Sequence, residues 1–281
     1  MRDGREAGLT LVPGRKGGGK SHETEETIDV YSKGLSGIPA RRGIILDVNN
    51  EFSKYPSLDL RDIKEWSLEG EIECRRIRPW HTYGPKKGSR MSLDDIKDSL
   101  KIILENFVRG VVLIEDINKY VQDAIPGDLF GQICTQRHVA VDVIIHFQTL
   151  ARIGHPKLWP NANYIRMHRC DDSVSTDYGR YEGFEKQLRI MEELIKIKNK
   201  AGNPYYSCWL NKDDRKITGD FSKIEFMKAI ETFFSEDYNR FVKPYVNRVN
   251  LNTGSKLFSD HGAAVDRLQK ETFDEYYGNK K

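Results

Sequence analysis

The chain has 281 residues, of which 38% are hydrophobic and 31% charged, and its formal net charge is +3. This length accommodates one sizeable α/β domain with an appendage, and so small a net charge indicates no class of partner. The longest apolar runs, residues 43–46 and 111–114, are too short to cross a bilayer. The four cysteines stand singly, which argues against a zinc site or a disulfide framework. We recognise no signal segment at the start and expect a cytoplasmic protein.

A glycine-rich segment follows the first predicted strand, residues 9–12, and precedes a predicted helix at 21–33. It matches the G-x-x-x-x-G-K-[ST] phosphate-binding pattern with the run Gly14-Arg15-Lys16-Gly17-Gly18-Gly19-Lys20-Ser21. Glycines in such a loop let backbone N–H groups converge on an anion, and the dipole of the following helix adds to the attraction. We therefore expect ATP on this loop, with Lys20 on the β- and γ-phosphates and the Ser21 hydroxyl on Mg²⁺.

The second predicted strand, residues 43–47, ends in acidic residues. Asp47 closes the strand, and Glu51 follows it in the same turn. Because parallel strands end at one edge of a sheet, both carboxylates are expected in the crevice beside the phosphate loop. They are candidates to arrange Mg²⁺ or water, and capping of the following turn is an equal alternative.

The most basic part of the chain is residues 75–90, which continue from a predicted marginal strand at 71–77. It contains six Lys/Arg, no acid, and the rings of Trp80 and Tyr83. Positive charge suits the phosphate backbone of DNA, and aromatic rings can stack on bases. A solvated loop rich in glycine and proline is the alternative of about equal weight. The candidate DNA contacts are Arg75, Arg76, Lys86 and Lys87.

Two adjacent acids, Glu115 and Asp116, end an apolar strand at 110–115, after an amphipathic helix at 93–105. A carboxylate at the carboxyl end of a strand beside the phosphate loop can hold Mg²⁺ or orient the water that attacks the γ-phosphate. By position we assign Glu115 to the Mg²⁺ shell and Asp116 to the water. Capping of the next helix by Asp116 is the alternative.

The next strand, residues 141–146, follows a predicted helix at 127–138 and is followed by Gln148. A polar amide at this strand tip can sense the γ-phosphate or the attacking water. Phosphoryl transfer also needs positive charge on the γ-phosphate, which a guanidinium supplies. Arg137 precedes this strand and Arg152 follows it. Either is a candidate finger for a neighbouring subunit, and a surface ion pair is the alternative for each.

Further elements complete an alternation of strands and helices, which predicts a mostly parallel sheet with helices on both faces. They are a strand at 162–167, a helix at 185–200, a strand at 205–210 and a helix at 223–234. Beyond residue 236 the pattern weakens. We therefore divide the chain into an ATPase domain, 1–235, and a C-terminal extension, 236–281, that contacts a partner or a neighbouring subunit.

In chain order these motifs resemble those of the FtsK–HerA group of P-loop motor ATPases, within the additional-strand, catalytic-glutamate division of P-loop proteins. The resemblance rests on Gly14-x-x-Gly17-x-Gly19-Lys20-Ser21, Asp47-x-x-x-Glu51-Phe52, residues 111–116 and Phe147-Gln148. It covers about residues 8–235, and the compact size is most similar to the viral genome-packaging ATPases of that group. The order Glu115–Asp116 inverts the commoner Asp–Glu, and neither arginine fits a motif tight enough to choose between them.

The resemblance implies a RecA-like core, a homo-hexameric ring that threads double-stranded DNA, and an arginine that acts across subunits. It also implies the roles given above for Lys20, Ser21, the two adjacent acids and Gln148. A portal, capsid or membrane-assembly protein is a further expected partner, with the host cytoplasm or a virion vertex as the place of action.

The leading hypothesis is thus an ATP- and Mg²⁺-dependent motor that translocates or packages double-stranded DNA. The alternatives are an ATPase that drives protein assembly or secretion, a small-molecule kinase, and a nucleotide-regulated scaffold without hydrolysis. Stimulation of turnover by duplex DNA separates the first hypothesis from the others.

Overall fold

The structure is a computed structural model, and it describes residues 7–278 apart from 37–38, 118–119, 121–126, 177 and 250–252. Eight strands form a single sheet in the order β3-β2-β4-β5-β1-β6-β7-β8. The strands from β3 to β6 in this order are parallel, and β7 and β8 are antiparallel to their predecessors. Their bounds are β1 Leu9–Pro13, β2 Arg42–Leu46, β3 Cys74–Ile77, β4 Gly110–Ile114, β5 Asp142–Phe147, β6 Tyr164–Met167, β7 Cys208–Asn211 and β8 Lys216–Gly219.

Ten α-helices, several of them short, connect and cover these strands in the described part of the chain. Two of the longer ones, α3 and α8, begin with reciprocal capping boxes, in which Ser92 pairs with Asp95 and Ser222 with Glu225. The bounds are α1 Lys20–Lys33, α2 Ile63–Glu69, α3 Leu93–Asn106, α4 Gly127–Thr135, α5 Leu150–Ile153, α6 Leu158–Asn161, α7 Glu185–Lys200, α8 Lys223–Glu236, α9 Lys243–Val246 and α10 His261–Tyr276.

The sheet is buried on both faces, as expected for parallel strands that consist of continuous apolar runs. Alternate residues of β4 enter two separate cores: Val112 belongs to the larger core and Leu113 to the smaller one. Helix α1 supplies Ile28 to the smaller core, and α3 supplies Leu100 to the larger. The predicted architecture, a mostly parallel sheet with helices on both faces, is therefore confirmed.

Strand β5 lies between β1, which leads into the phosphate loop, and β4, which leads into the acidic pair. The parallel strands all end at one edge of the sheet, which we call the carboxyl edge. It carries the residues that follow β1, β2, β4, β5 and β6.

The segment after residue 236 is more ordered than the sequence pattern indicates. Helix α10 buries Leu268 and Tyr276, and its Phe273 packs edge-on against Phe226 of α8 with ring centroids 5.6 Å apart. The Gly278 amide donates to the carbonyl of Ile217 in β8, at 2.8 Å. One face of the extension therefore packs on its own chain, and contact with a subunit or partner stays a prediction. Helix α8 continues through Glu236, so the predicted domain boundary falls in its last turn.

Candidate nucleotide-binding site

The phosphate loop connects β1 to α1 at the carboxyl edge. Gly17 and Gly19 have φ angles of 71° and 89°, which residues with a Cβ rarely adopt. A Cβ at Gly14 would lie 2.7 Å from the Cβ of His168, so this position also needs glycine. Helix α1 begins at Lys20 with no side chain capping its first amides. The free backbone N–H groups at the start of a helix, together with the helix dipole, favour binding of an anion.

Lys20 is buried at the base of this loop, with 7% of its surface exposed. Its ammonium donates to the carbonyls of Gly14 and Arg15, the second at 3.0 Å. Burial lowers the pKa of Lys20, while the negative charges of Asp116, Glu51 and Glu115 oppose that shift. The ammonium is thus held by two carbonyls of the loop. Because these carbonyls carry only partial negative charge, a bound anion would provide the counter-charge for Lys20.

Two polar side chains, one in strand β6 and one directly after it, donate hydrogen bonds to the phosphate loop and the start of α1. His168 Nδ1 donates to the carbonyl of Gly18 at 3.0 Å, and burial lowers the pKa of His168 to about 3, so the ring is neutral. The buried guanidinium of Arg166 donates to the Thr24 hydroxyl and, at 3.5 Å, to the Lys20 carbonyl. Sequence reasoning missed both residues. The sequence signal that could have identified them is that they alternate with the apolar residues Ile165 and Met167 in a strand that was interpreted as core.

The acidic cluster, which consists of Asn49, Glu115, Asp116 and Gln148, lies at the ends of β2, β4 and β5. The side-chain amide of Asn49 donates to Glu115 at 3.0 Å and to Asp116 at 2.9 Å, and its backbone N–H donates to Glu115 at 3.1 Å. Gln148 Nε2 donates to Asp116 at 3.2 Å. The predicted meeting of Glu115, Asp116 and Gln148 at one place is therefore what the structure has, and Asn49 is the residue that sequence reasoning missed.

Glu115 is 2% exposed, and burial raises its pKa to about 7. The hydrogen bonds from Asn49 oppose this rise, whereas the nearby charges of Glu51 and Asp47 add to it. Asp116 has a φ of 42°, in the left-handed region that asparagine and aspartate tolerate better than other side chains. Neutral amides of Asn49 and Gln148 donate to these carboxyl groups, and a bound cation could further stabilise their negative charge.

Ser21 and Glu51 meet on the same side of the loop as the acidic cluster. The Ser21 hydroxyl donates to Glu51 Oε2 at 3.3 Å, and Glu51 is exposed. A hydroxyl, an exposed carboxylate and a buried acid of raised pKa fit Mg²⁺, which binds few protein oxygens and takes its remaining ligands from phosphates and water. No group of three His, Cys, Asp or Glu residues with metal-site geometry occurs among the described residues.

Asp47 lies close to this site but has a structural environment. Its carboxylate is fully buried, accepts the amides of Glu51 at 2.8 Å and Phe52 at 3.2 Å, and pairs with Arg76 at 2.7 Å. These bonds fix the turn that carries Asn49 and Glu51. The structure therefore favours the alternative of turn capping for Asp47, and we no longer assign Mg²⁺ to it.

Arg76 pairs with Asp47 and, contrary to the prediction, is not available as a DNA contact. It is 8% exposed and also donates to the carbonyl of Tyr55, at 3.1 Å. Arg75 is half-buried and pairs with Glu73 at 2.5 Å. The sequence did not reveal these pairs, because Asp47 lies 29 residues before Arg76 and Glu73 lies just outside the basic stretch.

Residues 78–91 form a protrusion that we call the basic hairpin. Backbone bonds between His81 and Ser89 and between Met91 and Pro79 close it, at 3.0 and 2.9 Å. Lys86 and Lys87 are exposed near its tip, and Lys86 lies 3.5 Å from an oxygen of Asp95. The guanidiniums of Arg78 and Arg90 lie 5.1 and 6.0 Å from the Trp80 ring centre. The hairpin leaves β3 at the carboxyl edge, beside the Asp47 turn.

The two candidate finger arginines lie at opposite edges of the sheet. Arg152 is exposed in the short helix α5, which directly follows Gln148 at the carboxyl edge. Arg137 is exposed in the turn before β5 at the other edge, so the length of β5, roughly 20 Å for a strand of this size, separates it from the site. Of the two candidate finger arginines, Arg152 therefore has the more suitable position.

The strand-tip helix α5 is held by Asp172, whose carboxylate accepts the amides of Leu150 at 2.9 Å and Ala151 at 2.7 Å.

Among the described residues, no helix is long and apolar enough to span a membrane.

Several solved structures are similar to this chain. The DNA-packaging ATPase B204 from Sulfolobus Turreted Icosahedral Virus is 17% identical over 75% of this chain and 95% of its own, with a TM-score of 0.50. The genome packaging NTPase B204 from Sulfolobus turreted icosahedral virus 2, in complex with AMP, is 16% identical over 78% and 98% of the two chains, with a TM-score of 0.49. EssC (ATPases 2 and 3) from Geobacillus thermodenitrificans is 13% identical over 85% and 45%, with a TM-score of 0.40.

No protein-family model and no curated protein matches the chain. At these identities the likeness concerns the fold alone, and in that respect the predicted resemblance to viral genome-packaging ATPases is confirmed.

Proposed function

We propose that this protein is an ATP-hydrolysing motor that translocates or packages double-stranded DNA. The observation that carries the proposal is the convergence of the phosphate loop with Glu51, Asp116 and Gln148 at the carboxyl edge. A phosphate loop alone would suit any nucleotide-binding protein. Here, carboxylates and a side-chain amide lie beside the Ser21 end of the loop, and these groups can orient a water for attack on the γ-phosphate.

In this proposal the loop amides and Lys20 hold the β- and γ-phosphates, and Ser21 with Glu51 or Glu115 holds Mg²⁺. The ion would neutralise charge on the phosphate oxygens. Asp116, or alternatively Glu51, accepts a hydrogen bond from the attacking water and aligns it with the γ-phosphorus. Gln148 donates to Asp116 and so fixes the carboxylate that faces the water.

An arginine from a neighbouring subunit would stabilise charge on the γ-phosphate during transfer. Arg152 is the better candidate, because α5 lies at the carboxyl edge and its exposed side chain could reach a neighbour's site. This role requires an oligomer, for which we propose a homo-hexameric ring. A portal, capsid or membrane-assembly protein would be its docking partner, in the cytoplasm or at a virion vertex.

The basic hairpin is the proposed DNA contact. Lys86 and Lys87 are exposed near its tip, and its base adjoins the turn that carries Asn49 and Glu51. Phosphate contacts of this kind are independent of sequence and depend on salt. A motor that moves along any duplex needs that type of contact.

The test is the ATPase rate with and without duplex DNA, together with the mass of the oligomer by light scattering. The proposal expects stimulation by DNA and a mass of several chains. Unchanged turnover and a monomeric mass would reject the motor and favour a kinase or scaffold, whereas a ring that ignores DNA would favour an ATPase for protein assembly or secretion.

The DNA contact is tested by the double variant Lys86→Glu, Lys87→Glu. Stimulation by DNA should weaken, and the salt dependence of DNA binding should become shallower by about two phosphate contacts. The matched control reverses Lys223 and Lys228, which are exposed on α8. Equal loss in both double variants would show that net charge, rather than the hairpin, attracts the duplex.

A further inference from the structure

Tyr205 is a large ring exposed beside the phosphate loop. It lies in the segment between α7 and β7, residues 201–207, and 63% of its surface is accessible. A Cβ built on Gly19 would lie 3.2 Å from the Tyr205 Cβ and 3.5 Å from Cδ1 of its ring, so Tyr205 packs directly against the loop. No other ring among the described residues stacks on it.

The segment that carries Tyr205 is fixed to helix α1 through Ser207, two residues after the tyrosine. The Ser207 hydroxyl lies 2.8 and 2.6 Å from the two carboxylate oxygens of Glu23, in the first turn of α1. Tyr206 is buried, with the ammonium of Lys198 5.6 Å from its ring centre. The backbone of Tyr205 donates to Asn203 Oδ1 at 3.3 Å. The ring therefore projects from an anchored backbone, which limits the entropy lost when a ligand stacks on it.

The direction in which a bound triphosphate would lie follows from the sheet order. The groups proposed to act on the γ-phosphate, Glu51, Asp116 and Gln148, follow strands β2, β4 and β5 on one side of β1. Tyr205 precedes β7, which lies on the other side, beyond β6. A triphosphate whose γ end meets the acids must direct its nucleoside end toward β6 and β7, where Tyr205 is exposed.

We propose that Tyr205 stacks on the nucleobase of the bound nucleoside triphosphate. The inference rests on the proposed nucleotide site and deepens it by assigning the base end of the ligand. Stacking of this kind tolerates any base, because every base has a π face. The site would therefore hold purine nucleotides without strong choice between ATP and GTP at this contact.

The experiment measures dissociation constants of ATP, GTP and inorganic tripolyphosphate by calorimetry in the wild type and in Tyr205→Ala. ATP and GTP should both bind about tenfold more weakly to the variant, a loss typical of removing one stacking ring. Tripolyphosphate, which has no base, should bind within twofold of the wild-type value. Tyr205→Phe keeps the ring and should restore ATP binding, and Tyr238→Ala serves as the control for removal of an exposed tyrosine elsewhere.

Equal weakening of ATP and tripolyphosphate would overturn the proposal, since Tyr205 would then only support the loop. Unchanged ATP binding in Tyr205→Ala would overturn it as well. Failure of the motor has a different signature: nucleotide binding that depends on Tyr205, with no hydrolysis or no stimulation by DNA in the wild type, leaves the base contact standing and removes the proposed activity.

Discussion

Two clusters of buried charge in this molecule are built in opposite ways. In the Arg189 cluster, one guanidinium that is 3% exposed binds Glu192 at 2.5 Å, Glu236 at 2.6 Å and Asp237 at 2.9 Å, with Glu193 at 3.3 Å. In the acidic cluster, Asn49 and Gln148 hold Glu115 and Asp116 through neutral amides. The first cluster contains its own cation, whereas these hydrogen bonds of the second come from neutral amides.

The pKa values show what this difference does. Burial opposes the charge on Arg189, but the hydrogen bonds that it donates to Glu192, Asp237 and Glu236 outweigh this effect and raise the pKa of Arg189. Burial raises the pKa of Glu115 to about 7, and the amides of Asn49 only partly offset the rise. Removing one partner of a buried ionic cluster destabilises the fold, whereas a buried carboxyl group with a raised pKa is a candidate functional group. The comparison predicts that variants of the two clusters affect different measurements.

The largest effect is expected at Lys20, the buried cation closest to the acidic cluster. Lys20→Ala should abolish ATP hydrolysis, because the β- and γ-phosphates lose their point charge. Turnover is measured by phosphate release at saturating ATP, with Lys33→Ala, at the exposed end of α1, as the matched control. Full turnover in Lys20→Ala would remove the nucleotide assignment altogether.

Asp116→Asn should lower kcat by roughly a hundredfold or more, since an amide cannot attract the proton of the attacking water. The native state should keep its stability, because an asparagine oxygen can still accept from Asn49 and Gln148 and asparagine tolerates the backbone angle. The two readouts are kcat and the urea midpoint. A variant that unfolds early yet turns over normally when folded would reverse the roles of the two clusters.

Arg189→Met should have the complementary effect. Removing one partner of a buried ionic cluster costs about 3–5 kcal/mol, so the free energy of unfolding should fall by that amount. Turnover per folded molecule should stay near the wild-type value, measured well below the melting temperature. If kcat instead dropped with stability unchanged, the link between α7 and α8 would serve the site rather than the fold.

The smallest effect concerns pH. Glu115 holds its proton in the native state up to about pH 7 but releases it near 4.5 when unfolded, so stability falls as pH rises between these values. The loss between pH 5 and pH 8 should be about 2–3 kcal/mol in the nucleotide-free protein. Glu115→Gln should remove this part of the pH dependence. Urea unfolding of both proteins at several pH values tests it, and parallel stability curves would contradict a protonated Glu115.

The parts of the site that sequence predicted are those with local or positional signals. The phosphate loop is a contiguous pattern, and Asp116 and Gln148 follow apolar runs whose carboxyl ends must share an edge. Asn49 was missed because an asparagine in a turn has an ordinary local explanation. Its role depends on Glu115, which is 66 residues away.

Two further differences have the same origin. Arg76 was read as exposed within a run of basic residues, yet its partner Asp47 lies 29 residues earlier. Helix α10 was not predicted because its buried stripe includes Ala264 and Thr272 beside Leu268 and Tyr276, which gives weak apolar periodicity. In both cases tertiary contacts decide an outcome that a single segment leaves open.

The left-handed backbone at Asp116 has a consequence for how this site should be probed. At a φ of 42°, alanine or glutamate would add backbone strain of about 1–2 kcal/mol to any chemical effect. Conventional alanine scanning would therefore mix a folding defect with a catalytic one at the position where the distinction matters most. Asparagine is the substitution whose kinetics report most directly on the carboxylate, because glycine would also remove the acceptor of Asn49 and Gln148. A mutational scan scored by growth or yield should rank asparagine apart from the other eighteen.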